Sequence, residues 1–325
     1  MTRSTVPPFD RASLGALGLG AAPLGNLYRA IDDDSARAVV DGMWDGGVRY
    51  FDTAPHYGLG LSERRLGAAL AERPRDEYVI STKIGRVLEP VANPDGALDD
   101  GFVVPADRVR RWDFSADGVR RSLDESLERL GLDRVDVVYV HDPDDHLEQA
   151  IAEALPALVA LRDEGIVGAI GVGANSAEVI ARFIETGDLD LAMVAGRYTL
   201  LEQPALADVF PAAERHGTGI VAVGVYNSGL LATSTPSADA HYNYGPVPAD
   251  VLAHARELAA VCAAHDVELP HAAVQFALRH PLVVNATVGV GKPQHVASTI
   301  RYATEAVPDA LWVDLADRGL VPAGH

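Results

Sequence analysis

Short apolar runs alternate along the chain with longer stretches whose apolar residues recur at helical spacing. The runs fall at 14–24, 48–51, 78–82, 135–140, 167–172, 191–195, 220–225 and 286–290. Helices are predicted at 34–44, 62–71, 115–130, 151–162, 176–185, 205–215, 250–264 with 271–279, and 293–302, with a C-terminal extra at 309–317. The helix at 115–130 is the clearest: Val119, Leu123, Leu127 and Leu130 share a face and Ser115 suits the N-cap. The run at 135–140 reads as a strand buried on both faces. One segment breaks the rhythm. Residues 84–114 hold Pro90, Pro94, Pro105 and several glycines without a period, and read as a long functional loop. A second polar loop is expected at 233–248.

Eight strand–helix alternations without a linker predict parallel strands joined by crossover helices. The fold class is therefore α/β, a single-domain (β/α)8 TIM barrel over 14–325 behind a flexible lead at 1–13. An open doubly wound sheet fits less well, because no helix starts directly after the glycines of 15–20. Gly20 and Gly25 are read as serving backbone geometry.

A barrel of this kind collects its active site at the C-terminal strand ends. The second run ends at Asp52, inside Phe51-Asp52-Thr53-Ala54-Pro55-His56-Tyr57-Gly58; the third ends at Lys83 and the fourth at His141. Each alone has a plain reading: a loop cap, a solvated terminus, a turn residue. Their occurrence on adjacent strands, with Tyr57 close behind, points to chemistry. An ammonium stabilises a phenolate, a carboxylate fixes the ammonium, and an imidazole can orient a carbonyl or hydroxyl oxygen. Such a set needs no covalent intermediate and no metal. A metal site is not expected, because His141 and Asp142 are neighbours that diverge on a strand.

Composition adds boundaries. The net charge of −19 argues against nucleic acid or an anionic membrane as partner. Cys262 is the only cysteine, which rules out an intramolecular disulfide. No transmembrane span or signal peptide is read, so a cytoplasmic location is expected, with oligomeric state open.

Asp52, Tyr57, Lys83 and His141, in the frames Ser81-Thr82-Lys83-Ile84-Gly85 and Tyr139-Val140-His141-Asp142-Pro143, resemble the catalytic tetrad of the aldo-keto reductases. The resemblance runs from about residue 17 to 302. It implies a (β/α)8 enzyme moving a hydride between a nicotinamide and a carbonyl or alcohol carbon. Three further stretches are similar to the L-fucose (D-threo-aldose) and pyridoxal dehydrogenase branch: Trp112-Asp113-Phe114-Ser115, residues 196–203 and residues 224–231. The resemblance then implies nicotinamide contacts at Asn175 and Tyr226, Tyr226 having an equal claim to a structural role, and a pyrophosphate loop at Gly224, Asn227, Ser228, Gly229 and Leu230. The adenosine end is expected at Gly289, Gly291, Lys292 and His295; without an arginine there, NAD is favoured over NADP, or dual use. His56, Trp112, Asp142 and Tyr28 are candidate substrate contacts, and Arg29 is a candidate for the mouth. The leading expectation is an NAD(P)-dependent aldose 1-dehydrogenase of small-molecule substrates. The alternatives are a pyridoxal 4-dehydrogenase, a general aldehyde or ketone reductase, and, in a different class, a channel accessory-type binding subunit.

Overall fold

The computed structural model of the chain describes residues 6, 9–92, 96–243 and 245–323. Eight parallel strands close into the expected barrel. They are β1 (Leu17–Gly20), β2 (Tyr50–Asp52), β3 (Val79–Ile84), β4 (Val137–His141), β5 (Ala169–Ala174), β6 (Leu191–Ala195), β7 (Gly219–Val223) and β8 (Val283–Gly289). β8 pairs back onto β1, with Leu17 opposite Ala286.

The two-residue period of a strand sorts the side chains. Phe51, Ile80, Val138, Val140, Ile170 and Val172 face outward and pack with the surrounding helices in one large core. Tyr50, Val79, Val137, Tyr139, Leu191, Met193 and Val221 face inward and plug the lower barrel. The Tyr139 ring crosses toward β5 because position 171 is glycine; a Cβ there would sit 2.7 Å from the ring. Higher up, the same alternation points Gly173 of β5 and Ala195 of β6 inward. Large residues close the floor, and the Met193 side chain covers Gly173, where a Cβ would meet its Sδ at 3.5 Å.

Register sets the functional strands side by side. Asp52 lies opposite Ser81, and Lys83 lies opposite Tyr139. By parity Asp52, Lys83 and His141 all point into the barrel. Lys83 is the penultimate residue of β3, one short of the strand end expected for it.

Three expectations change. Residues 84–114 are not an irregular loop: Arg86–Pro90 and Arg108–Trp112 form an antiparallel hairpin, Arg86 opposite Trp112. Charged residues lie on both of its faces, with pairs such as Arg111 and Glu89 (2.8 Å), and its buried Val87 and Leu88 are adjacent rather than alternating, so it carries no apolar period. Residues 93–95 in this segment lie outside the described residues. The run at 135–140 is interrupted by Asp136, and β4 starts after it; Asp136 accepts from Arg75 and from the Ile80 amide. Of the lead expected at 1–13, residues 1–5, 7 and 8 lie outside the described residues. Phe9 and the 3-10 turn Arg11–Leu14 pack beneath the barrel plug. Among the described residues, no helix is long and apolar enough to cross a membrane.

Glu63 shows how the helices are tied to the site strands. It lies in the first turn of the helix Leu61–Leu70, yet it is fully buried. Its carboxylate accepts from Arg129 at 2.5 Å and from Thr82 at 2.9 Å, joining that helix to Ala116–Leu130 and to β3 next to Lys83. Glu63→Ala removes the short partner of the mostly buried Arg129 guanidinium, leaving it Glu125 at 3.7 Å and Ser126 at 3.2 Å, and strips the Thr82 hydroxyl of its acceptor. The expected loss is roughly 3–5 kcal/mol of unfolding free energy, read from denaturant midpoints at constant slope. A change below about 1 kcal/mol contradicts this account of the joint.

Candidate functional site

The residues at the ends of β2, β3 and β4 meet in one cluster. Lys83 Nζ donates to both Asp52 carboxylate oxygens, at 2.9 and 2.7 Å, and to the Thr53 carbonyl at 2.9 Å. It also lies 3.0 Å from the Tyr57 hydroxyl. Asp52 and Lys83 are 3% and 1% exposed, so the ion pair is shielded from water. Burial raises the Asp52 carboxyl above its ordinary range, and the Lys83 charge and the Ser81 hydroxyl counter that. The His141 ring stands perpendicular to Tyr57, with centroids 5.8 Å apart. The four expected residues are therefore brought together.

Sequence reasoning missed what holds them. Ser81 donates to Asp52 Oδ1 at 2.8 Å, and behind it the Tyr50 hydroxyl lies 3.0 Å from Ser81 and 3.1 Å from the Tyr139 hydroxyl. A hydrogen-bonded file thus runs from the barrel interior to the carboxylate. The only prior signal was three inward polar residues at period two below Asp52 and Lys83. Tyr57 is placed from the other side. Its loop presses backbone against backbone on Gly25, where a Cβ would come within 2.6 Å of the Tyr57 carbonyl carbon. That close approach is the backbone role expected of Gly25.

The candidate substrate residues divide. His56 is tucked edge-on against Phe102 (5.2 Å) and beside His141 (5.7 Å). Asp142 has left the strand: its φ of 41° turns the carboxylate back to within 3.5 Å of His141 Nε2. The two residues therefore converge where extended backbone would have parted them. Asp142 is paired with Arg86 at 2.6 Å, a partner the sequence reading did not single out. Trp112 stacks on Phe114 and carries the Arg86 guanidinium 4.5 Å above its ring. Tyr28 is 44% exposed and stacks on His241 at 5.1 Å. Among the described residues, no group of three or more His, Cys, Asp or Glu is placed to hold a metal ion.

Asn175 follows β5, the strand next to His141, and is exposed. In the turn after β7, the amides of Asn227, Gly229 and Leu230 donate to carbonyls of the turn itself. Leu230 is fully buried, and Asn227 donates to Glu202 at 3.1 Å. Tyr226 packs against the core, and burial pushes its phenol up. Glu202 also accepts from Tyr242 and Arg197, so the 196–203 stretch is the anchor of this turn. After β8, Gly291 and Lys292 border a cavity of about 600 Å³, into which Arg29 arrives from the β1 loop. Arg29 donates to the Gly291 carbonyl at 2.6 Å. His295 lies exposed in the 3-10 turn Pro293–His295 before the helix Val296–Thr304.

The aldo/keto reductase family model matches residues 16–314. The chain is an aldo/keto reductase. It is 51% identical to a D-threo-aldose 1-dehydrogenase from Pseudomonas sp, over 98% of this chain and 99% of that protein. It is 37% identical to a pyridoxal 4-dehydrogenase from Microbacterium luteolum, over 94% of each chain. Its fold is similar to that of a glycerol dehydrogenase from Gluconobacter oxydans, with a TM-score of 0.74 at 25% identity, covering 99% of this chain and 98% of that one. Aldo/keto reductases are oxidoreductases that use nicotinamide cofactors. The barrel fits one on its own evidence. The cavity bordered by Arg29, Lys292 and Asp32 brings two cations and one carboxylate together, so it carries a net positive charge for a phosphate.

Both imidazoles of this aldo/keto reductase are held neutral. Burial depresses His141 well below the usual histidine range, helped by the Arg86 and Lys83 charges. Burial, Arg86, Arg110 and Lys83 lower His56 from 6.5 to about 2. The unfolded chain therefore binds a proton at residue 56 that the folded chain refuses between those two values. Stability from this group is complete above the ordinary value and falls as pH drops toward the folded one. His56→Asn should remove up to ~1.4 kcal/mol per pH unit from the acid slope of unfolding free energy below the ordinary histidine value. Parallel wild-type and variant curves from neutrality into acid contradict the assignment.

Proposed function

We propose that the chain oxidises the C1 hydroxyl of a cyclic aldose to the lactone, with NAD or NADP as cofactor. The observation that carries the chemistry is Lys83 Nζ, held by Asp52 and 3.0 Å from the Tyr57 oxygen. The 51% identity to a D-threo-aldose 1-dehydrogenase supports the substrate class. When bound, the nicotinamide supplies the acceptor for the hydride leaving C1. Tyr57 takes the C1 hydroxyl proton as a phenolate. Lys83 stabilises that phenolate because an ammonium at hydrogen-bond distance favours the charged form. Asp52 keeps Lys83 charged and in place. His141, neutral and confined by Tyr57 and His56, orients the C1 oxygen without competing for the proton.

Arg29 and Lys292 both border the expected adenosine end, which supports acceptance of NADP beside NAD. This modifies the preference for NAD drawn from the lack of an arginine near Gly291, because Arg29 reaches that position from a distant part of the chain. The 37% identity to a pyridoxal 4-dehydrogenase supports a second reading, since pyridoxal also closes to a cyclic hemiacetal.

Purified protein is assayed by NAD(P)H absorbance with L-fucose, D-arabinose, L-galactose, D-glucose and pyridoxal. At least one L-fucose-type aldose should be oxidised, faster as pH rises into the alkaline range. Tyr57→Phe should lower that turnover by roughly 10²–10⁴-fold. A Tyr57→Phe enzyme that keeps most of its activity contradicts the mechanism. Turnover of pyridoxal alone favours the second reading.

A further inference from the structure

We propose that Arg86 is a substrate-binding residue that, together with Asp142, reads the hydroxyl pattern of the sugar; this rests on the aldose reading above. Arg86 lies just past β3, beyond Gly85, and its side chain is 11% exposed. Nη2 donates to Asp142 Oδ2 at 2.6 Å, and the Trp112 ring covers one face of the guanidinium. Its Nε is buried and has no hydrogen-bond partner among the described residues. Nε of Arg73, Arg75, Arg110, Arg134 and Arg197 is buried and unpaired as well, so what sets Arg86 apart is its place: it is paired with Asp142, whose carboxylate lies 3.5 Å from His141 Nε2.

The surroundings say which acceptor belongs there. The Arg86 charge acts directly on Tyr57, His56 and His141, so the guanidinium belongs to the same chamber as the reacting groups. Asp142 is bent into the left-handed region to join it, where an extended residue after β4 would carry its carboxylate elsewhere. An ion pair needed only for stability gains nothing from burial beside two neutral imidazoles and an ammonium. A vicinal diol offers what this pair lacks. One hydroxyl can donate to the carboxylate while its neighbour accepts from the guanidinium. Trp112, stacked between this guanidinium and Phe114, holds Arg86 in place rather than meeting the sugar itself. The reacting carbon remains the business of Tyr57 and His141; Arg86 and Asp142 choose which sugar is held there.

The test pairs the residue with the hydroxyl. The kcat/KM of wild type and Arg86→Met is measured for an aldose substrate and for its deoxy analogues, each missing one hydroxyl. For at least one position, deoxygenation should cost the wild type about 10- to 100-fold and Arg86→Met about twofold or less, because a charged hydrogen bond is present in one and absent in the other. Asp142→Asn should abolish the penalty at the neighbouring position. A purely structural Arg86 lowers all substrates alike, and identical deoxy penalties in both enzymes overturn the proposal. Should Arg86→Met fail to show a cooperative melt, Arg86→Lys decides. One ammonium cannot both hold Asp142 and present a fixed second donor, so the penalty should shrink there too, and an unchanged penalty overturns the proposal. A wild type inert toward every aldose overturns the functional reading and this proposal with it. An active wild type with matched penalties overturns this proposal alone.

Discussion

An ammonium with almost no access to water lies at the centre of this molecule. Lys83 is 1% exposed, and such a charge is tolerated only where its donors are satisfied. Its partners are the Asp52 carboxylate, the Thr53 carbonyl and the Tyr57 hydroxyl. Much of the surrounding structure keeps those partners in place. The register of β2 on β3 sets Asp52 beside Ser81, and Ser81 ties it to the Tyr50–Tyr139 pair inside the barrel. Gly25 lets the Tyr57 loop settle close enough for contact. Glu63, paired with Arg129 and Thr82, fixes the helix that follows that loop. The stability of the upper barrel and the geometry of the candidate site are one set of interactions.

The charge distribution adds a second constraint. The chain carries a net charge of −19, yet Lys83, Arg86 and Arg110 act together on His56 and His141. Arg29 and Lys292 form a separate basic border across the mouth. Lys83, Arg86 and Arg110 are each paired with a carboxylate, Asp52, Asp142 and Asp99, so the attraction for an anionic cofactor falls to Arg29 and Lys292. Burial, helped by Arg86, Lys83 and Arg110, disfavours the charged form of both histidines, which leaves Tyr57 as the proton acceptor in the proposed reaction.

The barrel was legible in the sequence because eight apolar runs and their helices have different periods. Asp52, Lys83 and His141 were legible because strand ends are where a barrel puts polar inward residues. The 86–112 hairpin was not legible: its strands are charged on both faces, so neither period is present. Arg86 was hidden with it, since only the folded hairpin brings it to Asp142. Arg29 was hidden by distance, because its partner Gly291 lies 262 residues away in sequence. The turn after β7 has an internal order that its glycines did not show: the amides of Asn227, Gly229 and Leu230 donate within it, and Glu202 holds the Asn227 side chain. Pattern shows where backbone bends; it does not show which hydrogen bonds the bend has already used.

The claim that everything else serves is that Lys83 makes Tyr57 a base. Ultraviolet difference titration of phenolate, wild type minus Tyr57→Phe, isolates the ionisation of that one tyrosine. Repeated in a Lys83→Met background, it measures the contribution of the ammonium. The account predicts that Tyr57 ionises at lower pH with Lys83 present than with methionine in its place. The same ionisation in both backgrounds would contradict it.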